Sequence, residues 1–486
     1  MSHSSSYDDV AYLSMPVRET DPLAMATVAA LFGVDAVDPR SCDLLELGCG
    51  DGGNLMSLAS AYPAIRAIGF DPARGAIERG REVLERTGLE NVELVHDEAA
   101  VDLDGTMDYV YAHGVLSWVD EDVCREVVAS AARGARPRGR GRRPHPVFPK
   151  ADNQQPARGQ AQRAIRAAEE RGEVLDWQDK IRIARERIQL AVATSSPAPQ
   201  HHAMQVMAEK WANTPDWSLF HDDLSEPLHP KRTTEVAGLA AEHGLRYVGE
   251  MLPQDLWQRW FSEDFQQMIR DEAGPDAVRQ RQLVDDLAGA SFHSSLFVKA
   301  DAVPATDPSF GDREIHVRQY VQGTEKGAMR SDKISAPVAQ VIREHHPASV
   351  TAAEIAEDLG RSAEQVERDL LRLHAQGLVQ LSTVPPPVPA EAGERPRTMP
   401  LVIEQIDQRQ IFGSSRFHVP VGLDRSARTA ILRLADGTRD RDALRRDLPA
   451  FAEANGMAEG LDGYLAQLDA VLDELALFGL FADPEA

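Results

Sequence analysis

The sequence predicts an α/β protein in which a doubly wound, Rossmann-like sheet is followed by a mainly helical, winged-helix-like C-terminal region. Three observations support this fold class. An apolar segment runs into a glycine-rich turn and a helix at residues 43–54, acidic residues end the next two apolar segments, and helical patterns dominate after residue 312. Alternating strands and helices bury a parallel sheet between helical layers, and ligands bind where its strands end. We therefore expect a ligand site at that edge.

The first element is the segment DLLELGCGDGGN, residues 43–54. Three of its glycines let the backbone turn tightly and approach a ligand that faces the free N–H groups of the next helix: Gly48, Gly50 and Gly52. The spacing differs from the dinucleotide fingerprint G-x-G-x-x-G, so we do not expect a pyrophosphate site. Glu46, at the strand end, suits a cationic group such as an ammonium or a sulfonium. The segment thus indicates a nucleotide-type cofactor that carries positive charge.

Acidic residues end the next two predicted strands. Asp71 follows the apolar residues 67–70, about twenty residues past the loop, where such folds bind ribose hydroxyls. A third strand at 92–95 ends in Asp97 and Glu98. An isolated glycine-rich turn is often only a turn, but acids in this order at successive strand ends favour a cofactor site.

This combination resembles motif I and the following acids of the class I S-adenosylmethionine (SAM) dependent methyltransferases. The resemblance implies SAM as methyl donor, S-adenosylhomocysteine as product, and Asp97 or Glu98 as the partner of the adenine amino group. The cofactor-binding residues that it implies are Glu46, Gly48, Cys49, Gly50, Gly52, Asn54, Asp71, Asp97, Glu98 and His113.

Two further segments resemble one bacterial methyltransferase subfamily, which has a C-terminal regulatory region and includes protein-lysine methyltransferases that act on outer-membrane proteins. One is the N-terminal arm at residues 7–33, although Ala11 and Asp21 replace the usual proline and histidine. The other is HGVLSWV at 113–119, where Leu116 replaces an aromatic residue. The resemblance implies a protein lysine as acceptor.

His113, Tyr111 and Trp118 are the candidate catalytic residues, because they lie at and after the end of the fourth predicted strand. A lysine amine has an ordinary pKa of about 10.4, so the site must desolvate it or accept its proton. His113 and Tyr111 are the nearest groups by sequence, and Trp118 would line the acceptor channel. The alternative is that Trp118 packs in the core and His113 caps the strand.

Composition limits the partners. The 486 residues suggest two to four domains, and a formal net charge of −25 argues against a nucleic-acid substrate and favours a basic protein segment or a small molecule. No apolar run is long enough for membrane insertion and no signal segment is evident, so we expect a cytoplasmic protein of bacterial type. The three cysteines have no metal-ligand spacing, and no metal is expected: Cys42, Cys49 and Cys124.

The segment RGARPRGRGRRPHPVFPK, residues 133–150, interrupts the pattern where a fifth buried strand is required. Proline removes ladder donors and buried arginines lack partners, so we expect no central strand here. The segment is then a disordered basic insert, a surface loop, or the product of a frame slip in the gene that is compensated before about Asp176. Sequencing the gene distinguishes the last alternative.

The expected domains are an N-terminal arm and lid, a methyltransferase core with a helical cap at about 176–215, a winged-helix-like domain, a linker and a C-terminal helical domain: 1–40, 41–301, 313–384, 385–397 and 398–486. Within the core, His221, Asp222 and Asp223 come without further metal ligands, and a loop or helix cap is favoured there.

The winged-helix-like segment carries acids on its third helix, which argues against DNA binding: Glu364, Glu367 and Asp369. Near the C-terminus, leucines at helical spacing predict either core packing or a homodimer contact: Leu465, Leu468, Leu472, Leu475 and Leu480. The predicted function is SAM-dependent methyl transfer, and the resemblance to the subfamily implies that the acceptor is a protein lysine. The alternatives are a small-molecule methyltransferase and a SAM-binding regulator or pseudoenzyme without turnover.

Overall fold

The structure is a computed structural model of the chain. The residues that it describes are 10, 12, 14–96, 105–136, 144–147, 155–194, 199–224, 228–251, 262–288, 293–320 and 335–483.

The first described strands form a four-stranded parallel sheet in the order β3-β2-β1-β4: β1 (Asp43–Leu47), β2 (Arg66–Phe70), β3 (Val92–Val95) and β4 (Tyr109–Tyr111). The helices around it are α1 (Pro22–Leu31), α2 (Gly53–Ala61), α3 (Arg74–Thr87) and α4 (Glu121–Gly134). The strand order reverses between β1 and β4, and in doubly wound sheets the ligand crevice opens at such a reversal. The predicted doubly wound sheet is confirmed.

A second sheet continues beside β4 in the order β5-β7-β6, and both of its pairings are antiparallel: β5 (Pro144–Val147), β6 (Leu245–Glu250) and β7 (Ser295–Lys299). Strand β5 packs next to β4. The sequence argues against a central strand within residues 133–150, and the described residues 144–147 form β5, an edge strand of the second sheet that pairs on one side only.

The prolines explain how a strand forms there without a complete ladder. Successive N–H groups of a strand point to opposite sides, so Pro144 and Pro146 lack donors on one side only, and the other side retains them. Accordingly, β5 pairs with β7 over four residues, whereas the described residues show no ladder between β5 and β4. The missing proline N–H groups therefore leave the side of β5 that faces β4 without a ladder, whereas the side that faces β7 pairs along four residues.

In the described ranges, three helices and two helical turns follow β5, and we call this group the cap: α5 (Gln155–Glu170), α6 (Trp177–Thr194), α7 (Pro199–Asn213), the turn Asp216–Ser218 and the π-helical turn Leu219–Leu224. The sequence predicts α6 and α7 in a cap at about 176–215 but does not predict α5. They pack around the fully buried Trp211. Three more helices flank β6 and β7: α8 (Thr233–Glu242), α9 (Glu263–Ala273) and α10 (Ala277–Ala288).

The next unit has the winged-helix-like order that the sequence predicts for residues 313–384. Its elements are β8 (His316–Gln319), α11 (Ala336–His345), β9 (Val350–Thr351), α12 (Ala352–Leu359), α13 (Ala363–Ala375) and β10 (Val379–Ser382). The strands pair antiparallel in the order β10-β8-β9. Of the acids on α13, Asp369 is buried and forms an ion pair with Arg361 at 2.7 Å. Asp369 therefore stabilises the packing of α13 within this unit.

The C-terminal unit has its own core and contains a β-hairpin as well as helices: α14 (Pro400–Asp407), β11 (Phe412–Ser414), β12 (Pro420–Gly422), α15 (Ala427–Leu434), α16 (Arg441–Asn455), α17 (Leu461–Ala466) and α18 (Leu468–Leu477). Four stripe leucines are at most 1% exposed: Leu468, Leu472, Leu475 and Leu480. The stripe therefore packs in the core of this unit, which is one of the two alternatives that the sequence leaves open, and a homodimer through the C-terminal region stays a prediction.

No helix in the described ranges combines the length and hydropathy needed to cross a membrane.

Candidate functional site

The glycine loop between β1 and α2 has a backbone that only glycine adopts without strain. Gly48, Gly50 and Gly52 have φ angles of +80°, +58° and +78°. A Cβ atom at Gly48 would overlap the Val115 side chain, and one at Gly52 would lie 2.6 Å from Leu94 Cδ2. The left-handed conformation already costs a residue other than glycine about 1–2 kcal/mol. These glycines therefore allow the loop to turn tightly and to pack closely against Val115 and Leu94.

Glu46 ends β1 directly beneath this loop and is only 4% exposed. Asn54 Nδ2 donates to both carboxyl oxygens, at 3.3 and 3.4 Å, and the Tyr111 hydroxyl donates to Oε2 at 3.1 Å. Burial raises the pKa of Glu46 to about 8, although these hydrogen bonds act in the opposite direction. A buried carboxyl with so high a pKa is a site where a cationic ligand group would be strongly favoured.

Asp71 ties the end of β2 to the glycine loop. Its Oδ2 accepts from the Gly50 N–H and its Oδ1 from the Ala73 N–H, both at 2.8 Å. A carboxylate oxygen can accept more than one hydrogen bond, and a contact of Asp71 with ribose hydroxyls stays a prediction.

Two loop residues escaped the sequence analysis. Asp51 accepts from the Gly53 N–H at 3.1 Å, and burial raises its pKa, which brings a third acid to the loop. A Cβ atom at Gly53 would lie 2.5 Å from the Ser14 carbonyl oxygen. Asp51 could have been found from the sequence, because it is an acidic residue inside the glycine motif. Nothing local marks Gly53, since its constraint comes from a distant segment.

That distant segment is the N-terminal arm, which lies across the loop. Val17 N–H donates to Asn54 Oδ1 at 3.0 Å, and Thr20 Oγ1 lies 3.1 Å from the same oxygen. Asn54 is therefore held between the arm, through its carbonyl, and Glu46, through its amide. The described part of the arm thus contacts the glycine loop and Asn54, and its role as a lid stays a prediction.

The structure separates the candidate catalytic residues. Tyr111 is fully buried beside Glu46 and Asn54, and burial raises the pKa of its hydroxyl; a catalytic role for Tyr111 stays a prediction. His113 is half-buried, and desolvation lowers its pKa to about 4, which keeps the imidazole neutral near pH 7. Trp118 is half-buried, with the Arg158 guanidinium 5.9 Å from its ring centroid. Asp97 and Glu98 lie outside the described residues.

The side chains of residues 221–223 contact other parts of the chain. The His221 ring lies 2.8 Å from the Val10 carbonyl oxygen, Asp222 accepts from the Tyr12 hydroxyl at 3.4 Å, and Lys210 donates to Asp223 at 3.2 Å. These side chains bind the arm and the cap. Within the described ranges no group of three His, Cys, Asp or Glu residues is arranged to hold a metal ion.

Family models match three parts of the chain. They are a methyltransferase domain at residues 44–139, a "predicted methyltransferase regulatory domain" at 215–299, and the C-terminal winged helix domain of PKMT at 394–475. The first contains the glycine loop, Asp71 and β4. The winged-helix description applies to the C-terminal unit, whereas the sequence prediction placed a winged helix in the unit before it.

Two similar proteins come from Rickettsia prowazekii (strain Madrid E), and both are uncharacterized. RP789 is 27% identical over 302 residues, which is 61% of this chain and 53% of that protein. RP028 is 32% identical over 137 residues, 28% of this chain and 54% of that protein. The chain thus spans about half the length of the curated relatives that it matches.

Among solved structures, PKMT2 from Rickettsia typhi has a similar fold over almost the whole chain. The TM-score is 0.78 at 18% identity, with 97% of this chain and 99% of PKMT2 covered. PKMT2 in complex with AdoHcy gives the same TM-score at 19% identity. The predicted class I fold and the predicted regulatory region are confirmed. The chain has the class I methyltransferase fold, and the three matched domain models follow one another along it in the order methyltransferase, regulatory and winged helix.

Proposed function

We propose that this protein is a SAM-dependent methyltransferase that modifies a lysine amine of an acceptor protein. The observation that carries the proposal is the cradle of Gly48, Gly50 and Gly52 with Glu46 buried beneath it and Asp71 beside it, at the reversal of a methyltransferase-fold sheet. The matched methyltransferase domain contains all of these residues.

The residues fit SAM in two respects. Gly48 and Gly52 allow the left-handed loop to pack against Val115 and Leu94 too closely for other side chains, and Glu46 is a buried acid with a raised pKa that a ligand ammonium would neutralise. In this proposal Glu46 and Asn54 hold the amino-acid portion, and Asp71 accepts from the ribose hydroxyls. The cofactor supplies an activated methyl group on its sulfonium, and S-adenosylhomocysteine remains as product.

The chain's own contribution is alignment and exclusion of water, since direct methyl displacement needs no covalent nucleophile. The arm covers the loop through Ser14 and Val17, and the cap closes over the arm. His113, neutral because of its lowered pKa, is a group after β4 that can accept the proton that leaves a lysine ammonium. Trp118 would line the acceptor channel, as the sequence predicts.

A cationic acceptor is supported by an aromatic and acidic cluster where the arm meets the cap. The Tyr12 ring lies edge-on to Trp217 at 5.0 Å and to His221 at 5.6 Å between centroids, and its hydroxyl donates to Asp222. Aromatic faces and carboxylates attract ammonium groups, and Tyr12 lies two residues from Ser14 on the loop. A net charge of −25 agrees with a basic protein partner, although the charge by itself does not choose between a protein and a small molecule.

The cytoplasm is the expected site of action. All three cysteines are free and buried, as in proteins of a reducing compartment.

The test is a calorimetric titration with SAM and with S-adenosylhomocysteine, followed by incubation with methyl-labelled SAM and a panel of basic proteins and small amines. Saturable binding with label on protein lysine, located by mass spectrometry, supports the proposal. Label on small amines alone would establish the small-molecule alternative, and binding without turnover on any acceptor would favour a SAM-binding regulator. Failure to bind either ligand would refute the cofactor assignment.

A further inference from the structure

The hairpin β11–β12 of the C-terminal unit reaches into the methyltransferase domain through one residue at its tip. His418 is fully buried, and its φ of +52° is left-handed, which is unusual for a residue other than glycine. Its Nδ1 lies 3.0 Å from Ser57 Oγ on α2, and its Nε2 lies 2.9 Å from the Val17 carbonyl oxygen of the arm. One ring thus joins the hairpin, the arm and the helix that follows the glycine loop.

The hydrogen-bond chemistry fixes the form of this ring. The Val17 carbonyl can only accept, so Nε2 carries the proton and donates it. Nδ1 then accepts from the Ser57 hydroxyl. Burial lowers the pKa of His418 to about 3, which agrees with a neutral ring that has one donor and one acceptor nitrogen.

Further hydrogen bonds connect His418 to Glu46, the buried acid beneath the glycine loop. Thr20 Oγ1 lies 3.3 Å from His418 Nε2 and 3.1 Å from Asn54 Oδ1, and Asn54 Nδ2 donates to Glu46. Val17 takes part in two of these hydrogen bonds. Its carbonyl oxygen accepts from His418, and its N–H donates to the same Asn54 oxygen at 3.0 Å. His418 therefore sets the position of the arm segment that in turn orients Asn54 on Glu46.

The hairpin tip is built to hold this conformation. Ser415 Oγ accepts from the Phe417 and Val419 N–H groups, both at 3.2 Å, and the His418 N–H donates to the Ser415 carbonyl at 3.0 Å. The Arg318 guanidinium lies 4.5 Å from the Phe417 ring centroid. An unfavourable backbone conformation persists only where its surroundings over-determine it, and such residues cluster at ligand clamps and switch regions.

We propose that His418 is a positioning residue of the cofactor site: the C-terminal unit, through its hairpin tip, holds the N-terminal arm against the glycine loop and thereby sets the affinity for SAM. The inference rests on the proposed function, because the ligand in question is SAM. It assigns to the C-terminal unit a direct mechanical link to the site, through a contact 361 residues apart in sequence.

The decisive variant is His418→Gly, which adopts the left-handed backbone without strain but loses both ring hydrogen bonds. Its control is Arg409→Gly in the same unit, where an exposed residue with φ +58° is likewise replaced. Calorimetry with S-adenosylhomocysteine should show at least a roughly fivefold higher Kd for His418→Gly, because two hydrogen bonds of ordinary strength are lost. Arg409→Gly should bind like the wild type.

Hydrogen exchange of the arm in the ligand-free chain gives an independent readout. The amides of residues 14–20 should exchange faster in His418→Gly and at the wild-type rate in Arg409→Gly. Wild-type affinity in His418→Gly, or weaker binding with an equally protected arm, would overturn the inference.

If His418→Gly does not fold, Ser57→Ala removes the hydroxyl that donates to Nδ1 and is judged by the same two measurements. A wild-type chain that binds neither ligand would instead refute the proposed function. Hydrogen exchange of the arm amides, measured without ligand, would still decide whether His418 holds the arm in place.

Discussion

Replacing Glu46 by glutamine tests whether the buried carboxyl receives the ammonium group of SAM. Glutamine has nearly the same shape and can still accept from Asn54 and Tyr111, so the variant removes the ionisable group and leaves the packing. Without ligand, burial holds the pKa of Glu46 at about 8. Near pH 7 the carboxyl is then about nine-tenths protonated.

The direction of the pH dependence follows from which form binds the cation. An ammonium attracts the ionised carboxylate, so binding expels a proton, and affinity rises with pH until the pKa is passed. For a group of pKa about 8 the ionised fraction rises by roughly tenfold between pH 6 and pH 7, and the affinity should rise with it. An α-amino group has a pKa of about 7.7–8.0, so the ligand stays cationic over this range.

The assay is calorimetric titration with S-adenosylhomocysteine from about pH 6 to about pH 7.5, in two buffers with different ionisation enthalpies. The wild type should release close to one proton per ligand near pH 7. Glu46→Gln should show a flat profile, with its largest loss of affinity at the highest pH. A flat wild-type profile, or the same slope in both chains, would refute the assignment of Glu46 to the ligand ammonium.

Three further predictions concern the loop and the interrupted sheet. Gly48→Ala should abolish measurable SAM binding because it adds both strain and overlap, whereas Gly88→Ala, at φ +70° in open space, should cost only about 1–2 kcal/mol of stability, checked by denaturant unfolding, and leave binding intact. Asp71→Ala should weaken SAM binding by about 10- to 100-fold, since contacts to a charged group are worth about 1.5–3 kcal/mol, and unchanged affinity would defeat its assignment to ribose. Replacing Pro144 and Pro146 by valine restores donors beside β4 and should stabilise the fold by about 1 kcal/mol per bond formed, seen as a higher Tm; an unchanged Tm would contradict our account of the gap between the sheets.

Local chemistry explains why the sequence alone located the cofactor loop. Gly48, Gly50 and Gly52 are required by the turn itself, and an acid at the end of a parallel strand lies at the ligand edge whatever else the chain does. Glu46 and Asp71 were predictable for that reason. Asp51, an acid inside the glycine motif, carries the same kind of local signal.

Other features depend on what packs against a segment. The sequence argues against a central strand in the proline-rich run, and only the fold shows that residues 144–147 pair along one side as β5. In sequence the C-terminal leucines fit both a core and a dimer contact, and tertiary packing buries four of them in the core of the C-terminal unit. Tyr111 is a candidate catalytic residue by its place at a strand end, and only the fold shows that its hydroxyl donates to Glu46.

The sequence by itself thus determined the fold class, the cofactor loop and the acids that end its strands, because periodicity, glycine backbone freedom and strand-end geometry act over a few residues. The tertiary structure alone decided how the arm, the cap and the C-terminal hairpin close on that loop. The bonds from His418 to Ser57 and Val17 join residues 361 and 401 positions apart, and no local pattern encodes a contact whose two partners meet only in the folded chain.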